Sequence, residues 1–256
     1  DLSGPVYERS FLDELLAICD RRGLLLVEDA CHAPGAEYRG RRIGSIAHLS
    51  TFSLHPVKHM TSGEGGVVTA GDRHLADRVR MLRNHGITSD HRQREQQGTW
   101  RYDMVALGFN YRLPDIQCAL ALSQLNKAPG WLEHRRAVAR RYAEGFAGVD
   151  ALRLPAEPSD RRHAWHLYAV RLAGAEPGEA RQRLHAHLRK AGIGANVHYL
   201  PVYLHPYYQG LGYRQGLCPK AEAAYDGLLS LPMWHGLTER DQDRVLSATL
   251  EGLSGV

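Results

Sequence analysis

The sequence predicts an α/β protein with a larger domain over residues 1–128 and a smaller α/β domain over 129–256. Three observations carry this expectation. A helical period, a continuous apolar run and two further β-like runs follow one another through short links, the succession expected of an α/β layer structure. The pair Pro129-Gly130 then falls between two long helical patterns near mid-chain. Beyond it, a strand, helix and strand pattern starts again.

The first helix is expected over 10–22, with Phe11, Leu12, Leu15, Leu16 and Cys19 at helical spacing, Ser10 as N-cap and Gly23 as the stop. Leu24 to Val27 is a short continuous apolar run of the kind buried in a parallel sheet. Leu49 to Ser53 and Gly66 to Ala70 read as further strands, and Asp72 to Asn84 as a basic amphipathic helix stopped near Gly86. Residues 87–103 are polar and read as a mobile surface loop. A helix starts at Pro114 and runs to about Lys127, with Ile116, Ala119, Leu120, Leu122 and Leu125 as its apolar face, before Pro129-Gly130 interrupts it. A second, Arg-rich helix covers Trp131 to Phe146. The smaller domain then reads as a strand over 165–172, a helix over 177–191, a strand over 195–199, a Tyr/Pro/His loop and two helices, the last capped by Thr238.

Composition narrows the function. Hydrophobic residues make up 43% of the chain, enough for a packed core. Lys and Arg number 32 against 28 Asp and Glu, a balance of +4 that is too mild for a nucleic-acid footprint and suits an anionic small molecule. Cys19, Cys31, Cys118 and Cys218 have no CxxC spacing, which argues against a zinc site or disulfide framework and fits a reducing cytoplasm. No apolar run reaches membrane-spanning length. No metal site is expected, since His185 and His187 stand two apart on a helix and face different sides.

The chemistry concentrates in two stretches. Ser53-Leu-His-Pro-Val-Lys58 places a hydroxyl five residues before a lysine, and Thr61-Ser-Gly-Glu-Gly-Gly66 follows as a glycine turn. Upstream, Asp29 ends an apolar strand and His32 lies three residues on. An amine, a carboxylate, an imidazole and a hydroxyl are the groups that hold pyridoxal phosphate and use it as an electron sink. Each has an ordinary reading as well: a solvated lysine, a strand-end Asp bonded to backbone amides, a partly buried histidine, a turn serine. The glycine turn is neither a Walker loop nor a dinucleotide fingerprint. Tyr199, Tyr203, Tyr207 and Tyr208, with His198 and His205, form an aromatic loop suited either to a sugar or base, or to packing.

The ordered set Val27 to His32, Phe52 to Lys58, Thr61 to Gly66, Leu82 to Gly86 and Leu107 to Asp115 resembles the DegT/StrS-type nucleotide-sugar aminotransferases. The similarity covers nearly the whole chain. It implies a fold-type I, aspartate-aminotransferase-like protein with part of the large domain and a small C-terminal domain. By position, Lys58 matches the lysine that carries pyridoxal phosphate, Asp29 the partner of the ring nitrogen, His32 its neighbour and Ser53 the phosphate-binding hydroxyl. Asn110 matches an asparagine that reaches the cofactor phosphate of the neighbouring subunit, so the resemblance implies a homodimer with shared active sites. Tyr111, Arg112, His198, Tyr199 and His205 are the candidate substrate-binding residues. Dehydratase relatives carry histidine where Lys58 stands, which favours transamination.

The stretches Tyr102 to Leu113 and His198 to Tyr208 are most similar to the pseudaminic-acid branch of the family. That branch implies a UDP-linked 4-keto-6-deoxy-N-acetyl hexose as acceptor and L-glutamate as donor, in the cytoplasm. Family members also carry a segment ahead of this pattern, with a phosphate-holding turn at a helix N-terminus. The expectation is therefore a chain without it, whose large-domain sheet has exposed edges. The alternatives are an aminotransferase for another keto nucleotide sugar, a non-catalytic dimerisation module, and a cofactor-binding sensor.

Overall fold

In the computed structural model, which describes residues 11–254, the chain divides into two compact units. One comprises residues up to Gly130 together with Pro158–Ala164; the other comprises Trp131–Glu157 and Trp165 onward.

The first unit opens with α1 (Phe11–Arg22), which buries Leu12 and Cys19. The expected N-cap Ser10 lies outside the described residues, as does the side chain of Phe11. Gly23 ends the helix in the left-handed region at φ 61°, letting the Leu24 amide donate back to the Cys19 carbonyl. Strand β1 (Val27–Asp29) then pairs in parallel with β4 (Leu49–Ser53), and β4 pairs antiparallel with β5 (Gly66–Ala70). The sheet order is β1-β4-β5. The bounds of β4 and β5 agree with the sequence reading.

The run Leu24 to Val27 does not behave as expected. The strand begins only at Val27, and Leu24, Leu25 and Val27 are 54%, 55% and 60% exposed. A continuous apolar run suits a strand covered on both faces. Here β1 is an edge strand paired on one side among the described residues.

Between β1 and β4 the chain makes a small hairpin, β2 (Glu37–Tyr38) and β3 (Arg41–Arg42), turning through Arg39 and Gly40 with positive φ. Two-residue strands leave no periodicity to read, so the sequence did not announce them. Tyr38 is buried, donates its hydroxyl to Asp13, and has the Arg39 and Arg161 guanidiniums 5.3 and 5.8 Å from its ring centroid. Helix α2 (Arg73–Leu82) follows β5, with Asp72 accepting from the Leu75 amide as N-cap. The segment 87–103, expected to be a loop, contains α3 (His91–Gln96). It has no apolar face; its support is the reciprocal cap between Asp90 and Gln93, at 2.9 Å in each direction.

Helix α4 (Asp115–Gly145) begins in the first unit and ends in the second. It runs unbroken through Pro129, contrary to the expected interruption. A proline removes one amide donor and crowds one carbonyl; the hydrogen-bond ladder resumes on either side. The face expected to be buried is also outside: Ile116 is 85% exposed, and Leu120, Leu122 and Leu125 are exposed as well.

The second unit carries β6 (Leu152–Arg153), β7 (Arg161–Arg162) being assigned to the first unit, where it pairs with β2. Strands β8 (Tyr168–Leu172) and β9 (Leu228–Leu231) complete an antiparallel sheet of order β6-β8-β9. Helices α5 (Pro177–Lys190), α6 (Pro206–Gly210), α7 (Pro219–Gly227) and α8 (Glu239–Ser254) follow, α6 being preceded by one 3-10 turn at Val202–Leu204. Thr238 accepts from the Asp241 amide at 3.1 Å, as a cap should. Strand β8 starts three residues later than expected, because Trp165 sits at φ 51° and cannot extend. The strand expected over 195–199 reduces to a single bridge between Asn196 and Ser230.

This unit has the packed core. Tyr142 near the end of α4 and Phe146 just beyond it meet Tyr168, Val170, Leu184, Leu188 and Leu229, all at most 1% exposed. The Tyr142 hydroxyl donates to the Pro232 carbonyl. Arg135 is buried and donates to the carbonyls of Trp165, His166 and Met233; burial pulls its pKa down to about 10. Among the described residues no helix is long and apolar enough to cross a membrane.

Two predictions follow from these contacts. Leu184→Ala removes a fully buried side chain and is expected to lower stability by about 2–5 kcal/mol, read by denaturant unfolding. Gly65, in the turn before β5, has φ 145°, and a Cβ there would lie 2.7 Å from Ser62 Oγ and 2.8 Å from Leu113. Gly65→Ala is expected to lower stability by about 1–3 kcal/mol, while Gly40→Ala, with nothing within 4 Å, loses less.

Candidate active site

The site grows from the parallel register of β1 and β4. Asp29 stands opposite Thr51, so the carboxyl ends of both strands lie side by side, with Ser53 closing β4. That edge is where open α/β sheets place their ligands. Asp29 is turned and fixed locally: its Oδ1 accepts from the Cys31 amide at 3.1 Å, and the Ala30 amide donates to the Thr51 carbonyl. The hydrogen bonds from Cys31 hold the Asp29 carboxyl below its ordinary pKa, so it is ionised at neutral pH.

Lys58 arrives on the loop between β4 and β5. The loop turns tightly where the Lys58 amide donates to the His55 carbonyl at 3.0 Å. Its base is closed by the Leu54 carbonyl, which accepts from the Ser62 amide at 3.0 Å and the Thr61 hydroxyl at 2.9 Å. The amine is half-buried beside Cys31 and Asp29. Burial lowers its pKa, against the opposing charge of Asp29. His32, also half-buried, is pushed down by burial and then by the Lys58 charge, with Asp29 opposing, and is neutral at pH 7. The Cys31 thiol is pushed up, first by burial and then by Asp29, and stays protonated.

Ser53 Oγ accepts from the His55 amide at 3.2 Å, which leaves its hydrogen to donate outward. The His55 ring stands 3.8 Å from Glu64 across the loop. The structure thus brings together Asp29, His32, Ser53 and Lys58 on one sheet edge. Asn110, Tyr111 and Arg112 occupy another strip. Asn110 bridges to Asn84, Tyr111 donates its amide to the Arg83 carbonyl and stacks on Phe109 at 4.8 Å, and Arg112 donates to Asn84 Oδ1 at 2.6 Å.

His198, Tyr199 and His205 belong to the second unit. There His198 Nδ1 lies 2.9 Å from Ser230 Oγ, the exposed Tyr199 ring meets His198 edge-on at 4.7 Å, and His205 precedes α6. Cys31 was not singled out in the sequence as a site residue, although its place between Asp29 and His32 was a signal. Gln117 and Gln124 were missed as well, since their contacts to the glycine turn span more than fifty residues.

The donor set fits pyridoxal phosphate: an ionised carboxylate for a protonated ring nitrogen, a half-buried amine for the aldehyde, an uncharged imidazole, and a hydroxyl with its hydrogen available to a phosphate oxygen. Among the described residues no three His, Cys, Asp or Glu side chains cluster as a metal site.

Comparison with known proteins gives the same direction. Residues 8–250 match the DegT/DnrJ/EryC1/StrS aminotransferase family. A dTDP-3-amino-3,4,6-trideoxy-alpha-D-glucose transaminase of Streptomyces venezuelae is 38% identical over 242 residues, covering 94% of this chain and 59% of its own length. The Helicobacter pylori aminotransferase PseC, described as acting in pseudoaminic acid biosynthesis, superposes with a TM-score of 0.86 at 28% identity, over 96% of this chain and 64% of PseC. A Streptococcus pneumoniae protein described as a sugar aminotransferase, in its PLP form, gives 0.85 at 29% identity, over 96% of this chain and 65% of that one. The chain spans roughly three fifths of the length of the curated relatives it matches, between 59% and 64%. On the family match and these likenesses, the chain belongs to the DegT/DnrJ/EryC1/StrS aminotransferase family and has its α/β, fold-type I architecture.

Proposed function

We propose that this protein is a pyridoxal-phosphate-dependent aminotransferase acting on a nucleotide-linked keto sugar. The observation that carries the proposal is the meeting of a half-buried, pKa-lowered Lys58 with an ionised Asp29 at the carboxyl ends of parallel strands. Bound there, pyridoxal phosphate supplies an electron sink beside the substrate carbon. Asp29, held ionised by its hydrogen bonds from Cys31, would keep a proton on the ring nitrogen through its negative charge. Lys58 would hold the cofactor's aldehyde group, and the Nζ, easier to deprotonate because it is half-buried, is the base placed to take a proton from the donor's α-carbon and, protonated, the acid placed to deliver one to the acceptor's carbon. Ser53, whose hydrogen is free to point outward, would donate to a phosphate oxygen, and His32 would stand beside the ring without adding charge.

The acceptor we assign is a UDP-linked 4-keto-6-deoxy-N-acetyl hexose, with L-glutamate as donor. Support comes from the stretches Tyr102 to Leu113 and His198 to Tyr208 and from the likeness to PseC. Tyr111, Arg112, His198, Tyr199 and His205 are the residues offered for the sugar nucleotide. A dTDP-linked 3-keto sugar is the second reading, favoured by the 38% identity to the Streptomyces transaminase. A homodimer would cover the exposed Leu107, Phe109, Tyr111 and Ile116, and in that arrangement Asn110 serves the neighbouring site. The four free cysteines fit a cytoplasmic setting.

Incubation with pyridoxal phosphate is expected to give an absorbance band near about 420 nm that borohydride fixes onto the Lys58 peptide. Lys58→Ala should abolish both, and fixation on any other lysine overturns the proposal. Asp29→Asn should keep the adduct but slow glutamate-dependent turnover by about a hundredfold or more. Offering UDP-4-keto and dTDP-3-keto sugars side by side decides the acceptor: amination of the dTDP sugar alone replaces the first reading with the second.

A further inference from the structure

The Lys58 loop is held from outside as well as at its own base. Helix α4 sends two glutamines, seven residues apart and so on one face, onto the backbone of the glycine turn. Gln124 Oε1 accepts from the Thr61 amide at 2.9 Å. Gln117 Nε2 donates to the Glu64 carbonyl at 3.1 Å. Ahead of α4, Leu113 also lies against Gly65, close enough that a Cβ there would collide with it. Thr61 is itself the clasp of the loop, since its hydroxyl donates to the Leu54 carbonyl and accepts from the Gly63 amide at 2.8 Å.

The chemistry of each contact is fixed by the backbone. An amide N–H only donates and a carbonyl only accepts, so Gln124 must present its oxygen and Gln117 its nitrogen. Neither glutamine has a part in the cluster around Lys58, where the facing titratable groups are Asp29, Cys31 and His32.

We propose that Gln117 and Gln124 are positioning residues: they fasten the loop that carries Lys58 to α4 and thereby set where its amine stands. The inference uses the aminotransferase reading only for the meaning of Lys58; the geometry stands without it. A loop released from α4 lets the amine move outward into water. Burial is the leading cause that lowers the Lys58 pKa, so release moves it up.

The two contacts answer glutamate differently. Gln124→Glu keeps an acceptor for the Thr61 amide. Gln117→Glu removes the donor and sets a carboxylate against the Glu64 carbonyl. The added charge acts on Lys58 in the same sense in both, so the difference between them reads the hydrogen bond.

The test is competitive acylation of amines against pH on the whole chain without cofactor, read by peptide mass spectrometry, with the exposed Lys127, Lys190 and Lys220 as internal references. The labelling midpoint of Lys58 is expected to move upward in Gln124→Leu and in Gln117→Glu, and less in Gln124→Glu than in Gln117→Glu. The reference lysines should stay where they are. With pyridoxal phosphate added, the first two variants should need about fivefold more cofactor for half-formation of the Lys58 adduct, the loss expected of one hydrogen bond. Equal midpoints for the two glutamate variants, or a wild-type midpoint in Gln124→Leu, overturn the inference. Should Gln124→Leu fail to fold, the two glutamate variants decide. Variant midpoints that shift as expected, together with a wild type that forms no adduct with pyridoxal phosphate, would sink the aminotransferase reading alone.

Discussion

The parallel pairing of β1 with β4 is the constraint on which the site depends. It sets Asp29 opposite Thr51 and leaves Ser53 two residues beyond, so that three chain segments deliver their polar groups to one edge. A parallel pair cannot be closed by a tight turn, and the chain must travel before it returns. Here the excursion holds His32 and the β2–β3 hairpin, and β7 joins the same small sheet. The following connection, between β4 and the antiparallel β5, is free to be short, and it is the one that carries Lys58.

Charge placement follows from that geometry. Asp29 lies in the open, where two hydrogen bonds from Cys31 outweigh its modest burial and hold it ionised. Lys58 and His32 lie deeper, and for both of them burial is the leading cause of a lowered pKa. The hydrogen bonds that hold Asp29 ionised are stabilising, whereas burying the charged forms of Lys58 and His32 costs stability. A charged carboxylate beside an amine made easier to deprotonate has value in proton transfer. The neighbouring Cys31 contributes as a hydrogen-bond donor, since its own thiol is pushed away from ionisation.

The two units differ in how their apolar residues are used. In the second, the aromatic residues at the end of α4 and the aliphatic residues of β8, α5 and β9 close on one another, and the buried polar atoms of Arg135 and Tyr142 find backbone carbonyls. In the first, much of the apolar sequence stands outward: Leu24 and Leu25 ahead of β1, Val27 at its start, and Ile116, Leu122 and Leu125 along α4. The same helix is therefore core at one end and surface at the other.

Where local rules act, the sequence by itself was sufficient. The strand runs of β4 and β5, the Thr238 cap, the Gly23 stop and the ordered set around Lys58 could all be read, because each rests on residues close in sequence. What failed depended on partners distant in the chain. An apolar run says that a strand is covered only if a second layer exists, and among the described residues Leu24, Leu25 and Val27 stay exposed. A proline says that a helix stops only if nothing else holds the next turn, and α4 continues past Pro129. The clasp of Gln124 on Thr61, across sixty-three residues, leaves no mark in composition or period. Identity of the reactive groups was a local matter; their distances, burial and protonation were decided by the tertiary structure, because electrostatics and hydrogen bonding act through space rather than along the chain.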